Sequence, residues 1–287
     1  AGGLGVLAAD LIMSAADLKL PVTGVSLLYH QDEDPQKGFD ARKFMQKRAE
    51  TVRVRIEDRD VVLAIWQMNI TGKTEDNVPV FFLSANLREN QPWDRGLTKD
   101  LYTPNAYTRL AQETLLGVGG VKALEAMGYH IANYHMNEGH SAPAVLAKIK
   151  ETKGDPGPIR RQFSFTTHTP VNSGHDYFEY DLAYSTIGSY LPDNIKEISL
   201  PDKLGMTELA LNCSKKTNSV SLKHQEVCQR MFPGYEFDNI TNGITVALSG
   251  WPRHQPWGVH KFRWNPDTRE LETDWVNNDT SCPNGIP

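Results

Sequence analysis

The spacing of apolar residues changes along the chain and separates predicted helices from predicted strands. Apolar residues recur at helical intervals over residues 4–18, which predicts a helix that ends before Pro21. Strict alternation places Val52, Val54 and Ile56 on one face of an extended segment, as in a half-buried strand. Strands are accordingly predicted at 22–30, 51–57, 60–70 and 78–84, the middle two forming a β-hairpin.

Beyond residue 107 the predicted elements alternate between helix and strand. Helices are predicted at 107–127, 139–152, 204–216 and 219–231, with strands at 131–134, 162–167 and 236–241. Such alternation is typical of an α/β fold with a parallel sheet and flanking helices. Residues 248–287 have no recognisable period, so they are predicted to form an irregular tail after a domain over residues 1–247.

The composition limits the class of protein. A chain of 287 residues with 39% hydrophobic residues can bury a sizeable core, and a net charge of -5 argues against a nucleic-acid partner. The longest clean apolar run, Val61 to Trp66, is too short to cross a membrane. Three cysteines without a C-x-x-C pair favour reduced thiols and a cytoplasmic location. We expect no secretory leader before the first helix, and we expect the start to be truncated because a strand normally precedes such a glycine-rich turn.

Polar residues follow three of the predicted strands, in YHMNEGHSA (134–142), THTPVNSGHD (167–176) and TNGIT (241–245). In parallel α/β sheets ligands bind outside the carboxyl ends of the strands, so these segments are expected to face one crevice. Neutral donors and acceptors suit a polyhydroxylated ligand such as a sugar. Structural roles stay open, since NEGHS could cap a helix and His168 could be a hydrogen-bonded core histidine. A zinc site is disfavoured because His135 and His140, five residues apart, do not share a helix face.

The opening stretch AGGLGVLAAD combines a glycine-rich turn with a helix N-terminus. Glycines let backbone N–H groups approach a ligand closely, and a helix N-terminus favours an anion such as phosphate. The stretch also satisfies the loose dinucleotide pattern G-x-G-x-x-A, with Asp32, Glu33 or Asp34 as the acidic partner. A nicotinamide or flavin oxidoreductase is therefore an alternative, and a tight turn without a ligand is another.

Several motifs together resemble the α-glucan (glycogen or maltodextrin) phosphorylase family. The opening GGLGVLAADLIMSAADLKLPVTGVSLLY resembles the family's glycine loop and first helix. YHMNEGHSA, FTTHTPVNSGHD and MTELALNCSKKTNSVSLKHQEV…NITNGIT are similar to later family motifs and occur in the family's order. The resemblance covers roughly residues 1–246 with gaps.

The resemblance implies a fold, a reaction and a set of ligands. Its fold is the amino-terminal Rossmann-like half of a two-domain GT-B glycosyltransferase. Its reaction is the phosphorolysis of α-1,4-glucan ends by inorganic phosphate, which releases glucose 1-phosphate. The family's cofactor is pyridoxal phosphate, and a homodimer is the candidate assembly of the full-length parent.

The resemblance also implies roles for individual residues. His168 and Asn242 match residues that contact the 6-hydroxyl of the terminal glucose, and Thr169 follows His168. The remaining matches are the phosphate-facing glycine loop with its sugar-lining leucine (Gly2, Gly3, Leu4, Gly5), an acid–histidine pair at the active-site wall (Glu138, His140) and a gate-loop residue (Asn105).

The chain also departs from the family. It lacks the glycine-rich motif of the cofactor lysine and the phosphate-binding Arg and Lys, and Leu11 stands where many members have a histidine. We therefore predict that the chain is the amino-terminal part of a phosphorylase, cut at both ends and inactive alone. The alternatives are a stand-alone glucan-binding module, the oxidoreductase above, and a glycogen synthase, whose glycine loop typically carries a lysine that AGGLGVL lacks.

Overall fold

The computed structural model describes residues 3–29, 41–72, 76–101, 103–242, 259–265 and 270–276. The chain divides into two compact units, Ala1–Thr245 and Val246–Pro287. Gly2 and the predicted acidic partners Asp32, Glu33 and Asp34 lie outside the described residues.

The elements follow one another in chain order. The helices are α1 (Gly3–Asp17), α2 (Pro92–Arg95), α3 (Ala106–Ala126), α4 (Pro143–Ile149), α5 (Gly157–Arg160), α6 (Tyr180–Ile187), α7 (Ile195–Ile198), α8 (Met206–Cys213) and α9 (Leu222–Met231). The strands are β1 (Gly24–Leu27), β2 (Gln46–Ile56), β3 (Arg59–Thr71), β4 (Asn77–Ser84), β5 (Tyr134–Asn137), β6 (Phe163–Thr166), β7 (Tyr177–Glu179), β8 (Lys203–Gly205), β9 (Lys216–Ser219), β10 (Asp238–Asn239), β11 (Val259–Asn265) and β12 (Glu270–Val276).

Helix α1 starts earlier than the sequence predicts. It begins at Gly3, so Gly3, Leu4 and Gly5 form its first turn rather than a loop before it. The N–H groups of a first turn have no partner within the helix, so a helical start still leaves these amides available. At the other end Lys19 adopts a left-handed φ of 56°, and the N–H of Leu20 donates to the carbonyl of Ala15 over 2.9 Å. This C-terminal cap ends the helix before Pro21.

The first sheet has the order β1-β4-β3-β2. The β2–β3 hairpin confirms the predicted one, and β3 continues antiparallel onto β4, whereas β4 pairs parallel with β1. Apolar residues of β2 point inward, with Val54 and Ile56 fully buried as their alternation predicts. Helix α1 packs on β3 and β4.

The second sheet is parallel throughout, with the order β10-β9-β6-β5. Strand β9 was not predicted, because its sequence KTNS has no apolar alternation and is extended only through pairing with β6 and β10. Strand β5 begins at Tyr134 rather than at residue 131, because its register with β6 pairs Tyr134 with Phe163. The helix predicted at 139–152 is interrupted, with 3-10 segments at Gly139–Ser141 and Lys150–Thr152 on either side of α4.

Helix α3 joins the two sheets into one core. It contacts β1, β2 and β4 of the first sheet as well as α4 and α6. Leu110, Leu115 and Val118 of this helix are fully buried, in the same apolar cluster as Leu83 of β4 and Phe165 of β6. The first unit is therefore an α/β structure with parallel pairing and flanking helices.

In the second unit, β11 and β12 form an antiparallel hairpin that pairs Val259 with Val276 and Asn265 with Glu270. The prediction of an irregular tail over 248–287 is wrong for these residues. Phe262 and Trp264 alternate with charged or polar residues in β11, which is a pattern typical of a strand.

Candidate functional site

The candidate site lies at the carboxyl edge of the second sheet. Parallel strands end at one edge, so the segments that follow β5 and β6 start side by side. The first segment carries Glu138 and His140 in the 3-10 turn after β5, and the second carries His168 and Thr169. The structure thus brings together four of the residues that the sequence singles out.

Glu138 connects the two segments through its carboxylate. Oε1 accepts from the N–H of Gly139 (3.0 Å) and the hydroxyl of Thr167 (3.2 Å). Oε2 accepts from the N–H of His168 (2.7 Å) and the hydroxyl of Thr169 (2.9 Å). Glu138 is only 7% exposed, and both of its oxygens accept their hydrogen bonds from groups within the protein.

His168 is held at its backbone and at its ring. Besides the amide bond to Glu138, ring Nε2 lies 2.8 Å from the carboxamide oxygen of Asn137, the last residue of β5. An amide oxygen only accepts, so Nε2 carries the ring proton and Nδ1 is left as an acceptor. Nδ1 is buried and has no partner among the described residues. Burial lowers the pKa of His168, which favours the neutral ring, and the nearby Glu138 carboxylate opposes this shift without cancelling it.

A cluster of charges borders the other side of His140. Arg109 of α3 donates through Nη2 to Asp176 (2.9 Å), and its Nε lies 2.8 Å from the Oε1 of Glu113. Burial raises the pKa of Glu113 well above its ordinary value, and the Asp176 carboxylate adds to this rise. Burial and the Arg109 cation lower the pKa of His140, while Glu138 and Asp176 oppose that shift. His140 therefore interacts electrostatically with the Glu138 carboxylate on one hand and with Arg109 and Asp176 on the other.

An open groove of about 480 Å³ lies beside Arg109. Its lining residues are Thr103, Pro104, Arg109, Gly174 and Asp176. Asn105 adjoins the groove as the N-cap of α3, where its carboxamide oxygen accepts from the N–H of Thr108 over 2.9 Å. The structure thus gives Asn105 a helix-capping contact, and its predicted gate-loop role stays a prediction.

Asn242 and the opening residues are placed with less contact to the site. Asn242 is exposed and follows β10, which lies two strands from β6, or roughly 10 Å across the sheet edge. Helix α1 contacts β3 and β4, and a meeting of the amides of Gly3 and Gly5 with His168 stays a prediction.

Sequence reasoning did not single out several residues that complete the site. Asn137 and Thr167 flank the predicted residues inside the quoted motifs, but nothing in one sequence marks them as partners of His168 and Glu138. His175 also sits near the site, with Nδ1 2.8 Å from the hydroxyl of Thr207 on α8, and burial lowers its pKa. In the run TTHTP (166–170) Thr167 stands next to His168, but that position alone does not mark it as a donor to Glu138.

The chain matches curated proteins over most of its length. It is 29% identical to a glycogen phosphorylase of Aquifex aeolicus, in a match covering 87% of this chain and 41% of that protein. It is 30% identical to a maltodextrin phosphorylase of Thermococcus litoralis, covering 92% of this chain and 34% of that protein. A glycogen phosphorylase of Mycobacterium tuberculosis is 30% identical, covering 87% and 35% respectively. By sequence, the chain is a relative of the glycogen and maltodextrin phosphorylases.

The match to these phosphorylases confirms the resemblance drawn from the motifs. The chain spans less than half the length of the curated relatives named above. No protein-family model matches it.

The described part of the chain offers neither a metal site nor a membrane-spanning helix. No group of three or more His, Cys, Asp or Glu side chains there could hold a metal ion. Nor does any helix in those residues have the length and apolar character that crossing a bilayer requires.

Proposed function

We propose that this chain is the amino-terminal, sugar-binding part of an α-glucan phosphorylase with a GT-B architecture. The whole enzyme would cleave terminal α-1,4 linkages with inorganic phosphate and release glucose 1-phosphate. The observation that best supports this proposal is the hydrogen bonding of the His168 ring. Its Nε2 is bonded to Asn137, while its Nδ1 is buried without a described partner. A buried acceptor without a partner is costly, and a sugar hydroxyl is a donor of the right kind.

The charged residues at the site are those expected of half of a phosphorylase active site rather than of a complete one. Phosphorolysis needs cations that hold the substrate phosphate. Arg109 is the cation that lowers the pKa of His140, and its guanidinium is already paired with Asp176 and Glu113. The phosphate-binding cations would therefore come from a part of the enzyme that this chain does not contain, and we expect the isolated chain not to turn over.

Pyridoxal phosphate is bound through a lysine amine, and three lysines around α3 and α4 do not offer a free one. On α3 and at the end of α4, Lys122 donates to the carbonyl of Arg53, Lys150 donates to that of Ser189, and Lys148 pairs with Glu125. Each of these amines already has a partner within the chain. In the proposed whole enzyme the cofactor would be held by other residues, and a cytoplasmic homodimer remains a prediction for that enzyme.

The proposal is tested by calorimetric titration of the 287-residue chain with maltoheptaose, without pyridoxal phosphate. We expect binding of maltoheptaose and none of the β-1,4-linked cellohexaose. His168→Leu removes the Nδ1 acceptor and should weaken binding about tenfold or more. His130→Leu, the same change at an exposed histidine, is the matched control.

Four results would contradict this proposal. A chain that is folded but does not bind maltoheptaose would remove the sugar-binding role, and equal affinity of His168→Leu would remove His168 from it. Release of glucose 1-phosphate by the purified chain would show that it is not half a site. A rise in melting temperature with NAD(P) instead of maltoheptaose would favour the oxidoreductase.

A further inference from the structure

We infer that Glu138 is a positioning residue that holds His168 in its sugar-binding geometry, rather than a contact of the sugar itself. This inference rests on the proposed function for the identity of the ligand. It differs from the role at the substrate that the family resemblance implies for Glu138, and it follows from how the carboxylate is used.

The carboxylate has no oxygen left for a ligand. Each oxygen already accepts one backbone N–H and one threonine hydroxyl, at distances from 2.7 to 3.2 Å. Two acceptor positions on each oxygen are the usual capacity of a carboxylate. A sugar hydroxyl could bind Glu138 only by displacing a donor that belongs to the segment carrying His168 or to the turn after β5.

The pattern of donors requires a carboxylate and not merely a side chain of this shape. The N–H groups of Gly139 and His168 point at different oxygens, and a backbone N–H can only donate. In Glu138→Gln one oxygen becomes an NH₂ group, which would face one of these two N–H groups whichever way the amide is turned. The threonine hydroxyls can rotate to accept, but the backbone amides cannot.

The backbone at Glu138 shows that the surrounding structure determines its conformation. Its φ is 73°, a left-handed value that is uncommon for residues other than glycine. Its N–H donates to the carbonyl of Thr166 (2.8 Å), and its own carbonyl accepts from the N–H and the hydroxyl of Ser141. An unfavourable conformation persists where neighbouring contacts over-determine it, often at functional sites.

His168 is held both at its backbone amide and at its ring. Glu138 binds the His168 amide, and the preceding residue, Asn137, binds ring Nε2. The spacing between these two partners is set by one peptide unit at the end of β5. Any rotation of Glu138 would therefore move His168 relative to Asn137 and would release the tautomer that leaves Nδ1 as an acceptor.

The test compares Glu138→Gln with Glu208→Gln in the full chain. Glu208 is also a buried glutamate, 8% exposed, but it bonds to Tyr177 and not to His168. Nitrogen-15 spectra of the labelled histidines report the ring tautomer of His168 without any ligand, and calorimetry reports affinity for maltoheptaose. We expect Glu138→Gln to change the His168 ring signals and to weaken binding about tenfold or more, with neither effect in Glu208→Gln.

Unchanged His168 signals and unchanged affinity in a folded Glu138→Gln protein would overturn the inference. If that variant does not fold, Thr169→Val decides, because it removes a single donor and leaves the carboxylate in place. It should shift the His168 signals in the same direction by a smaller amount, and no shift would overturn the inference. If the wild-type chain binds no maltoheptaose, the proposed function fails while the ring spectra still test the positioning role.

Discussion

Helix α3 approaches the start of α4 closely at Gly117, and adding a methyl group there should be costly. A Cβ on Gly117 of α3 would lie 2.6 Å from the carbonyl carbon of Pro143 and closer still to the backbone nitrogen of Ala144, at the start of α4. Such atoms pack at about 3.5 Å, so the helices must separate by about 1 Å. Overpacking a core costs up to about 3 kcal/mol, and the better helix propensity of alanine returns about 1 kcal/mol. We therefore expect Gly117→Ala to lower the free energy of unfolding by about 2 kcal/mol.

This prediction can be measured by thermal and urea unfolding followed by circular dichroism. A loss of that size corresponds to a melting temperature about 4–8 °C lower for a unit of this length. Gly96→Ala is the matched control, because its Cβ would meet nothing within 4 Å and its φ of -73° suits alanine. That variant should be as stable as wild type or slightly more stable. If Gly117→Ala were as stable as Gly96→Ala, the argument from helix approach would be refuted.

Two further predictions concern buried polar groups. The pKa of Glu113 is raised in the folded protein, so its stabilising contribution is complete below the ordinary value of 4.5 and is lost as the pH rises through the folded-state pKa. Glu113→Gln cannot ionise and should gain unfolding free energy relative to wild type as the pH rises above about 4.5; parallel pH profiles would contradict this. Asn90 bonds to both backbone groups of Val62 and to the carbonyl of Ala85 at 2.7–2.9 Å, so Asn90→Ala should cost about 3 kcal/mol in urea unfolding. Asn69→Ala, at an exposed position of β3, should cost less than about 1 kcal/mol, and equal losses would show that the buried bonds are not responsible.

Local patterns were sufficient for the elements whose sequence carries a clear period. The hairpin of β2 and β3 alternates because one face of it is buried, and α3 shows helical spacing because much of its surface meets the core. Strand β9 could not be predicted, because KTNS is extended only where β6 and β10 offer backbone partners. The first strand of the β11–β12 hairpin does carry a local alternation, at Phe262 and Trp264.

The candidate site was likewise predictable from the sequence only in part. The polar residues after the strands pointed to this edge of the sheet, since parallel strands end at one edge, and the resemblance to the phosphorylases singled out Glu138, His140, His168 and Thr169 there. The sequence could not show that Glu138 accepts four hydrogen bonds, because its donors Gly139 and His168 lie about thirty residues apart and meet only through the register of β5 and β6. Nor could it separate a sugar contact from a positioning contact at that carboxylate.

The sequence by itself therefore determined the periodic elements, the α/β class and the resemblance to the phosphorylases, because each of these is encoded in neighbouring residues or in motif order. Only the tertiary structure decided which polar groups are already satisfied and which, like Nδ1 of His168, are left without a described partner. Hydrogen-bond satisfaction depends on distances of a few tenths of an ångström between remote segments, and those distances exist only once the chain is packed.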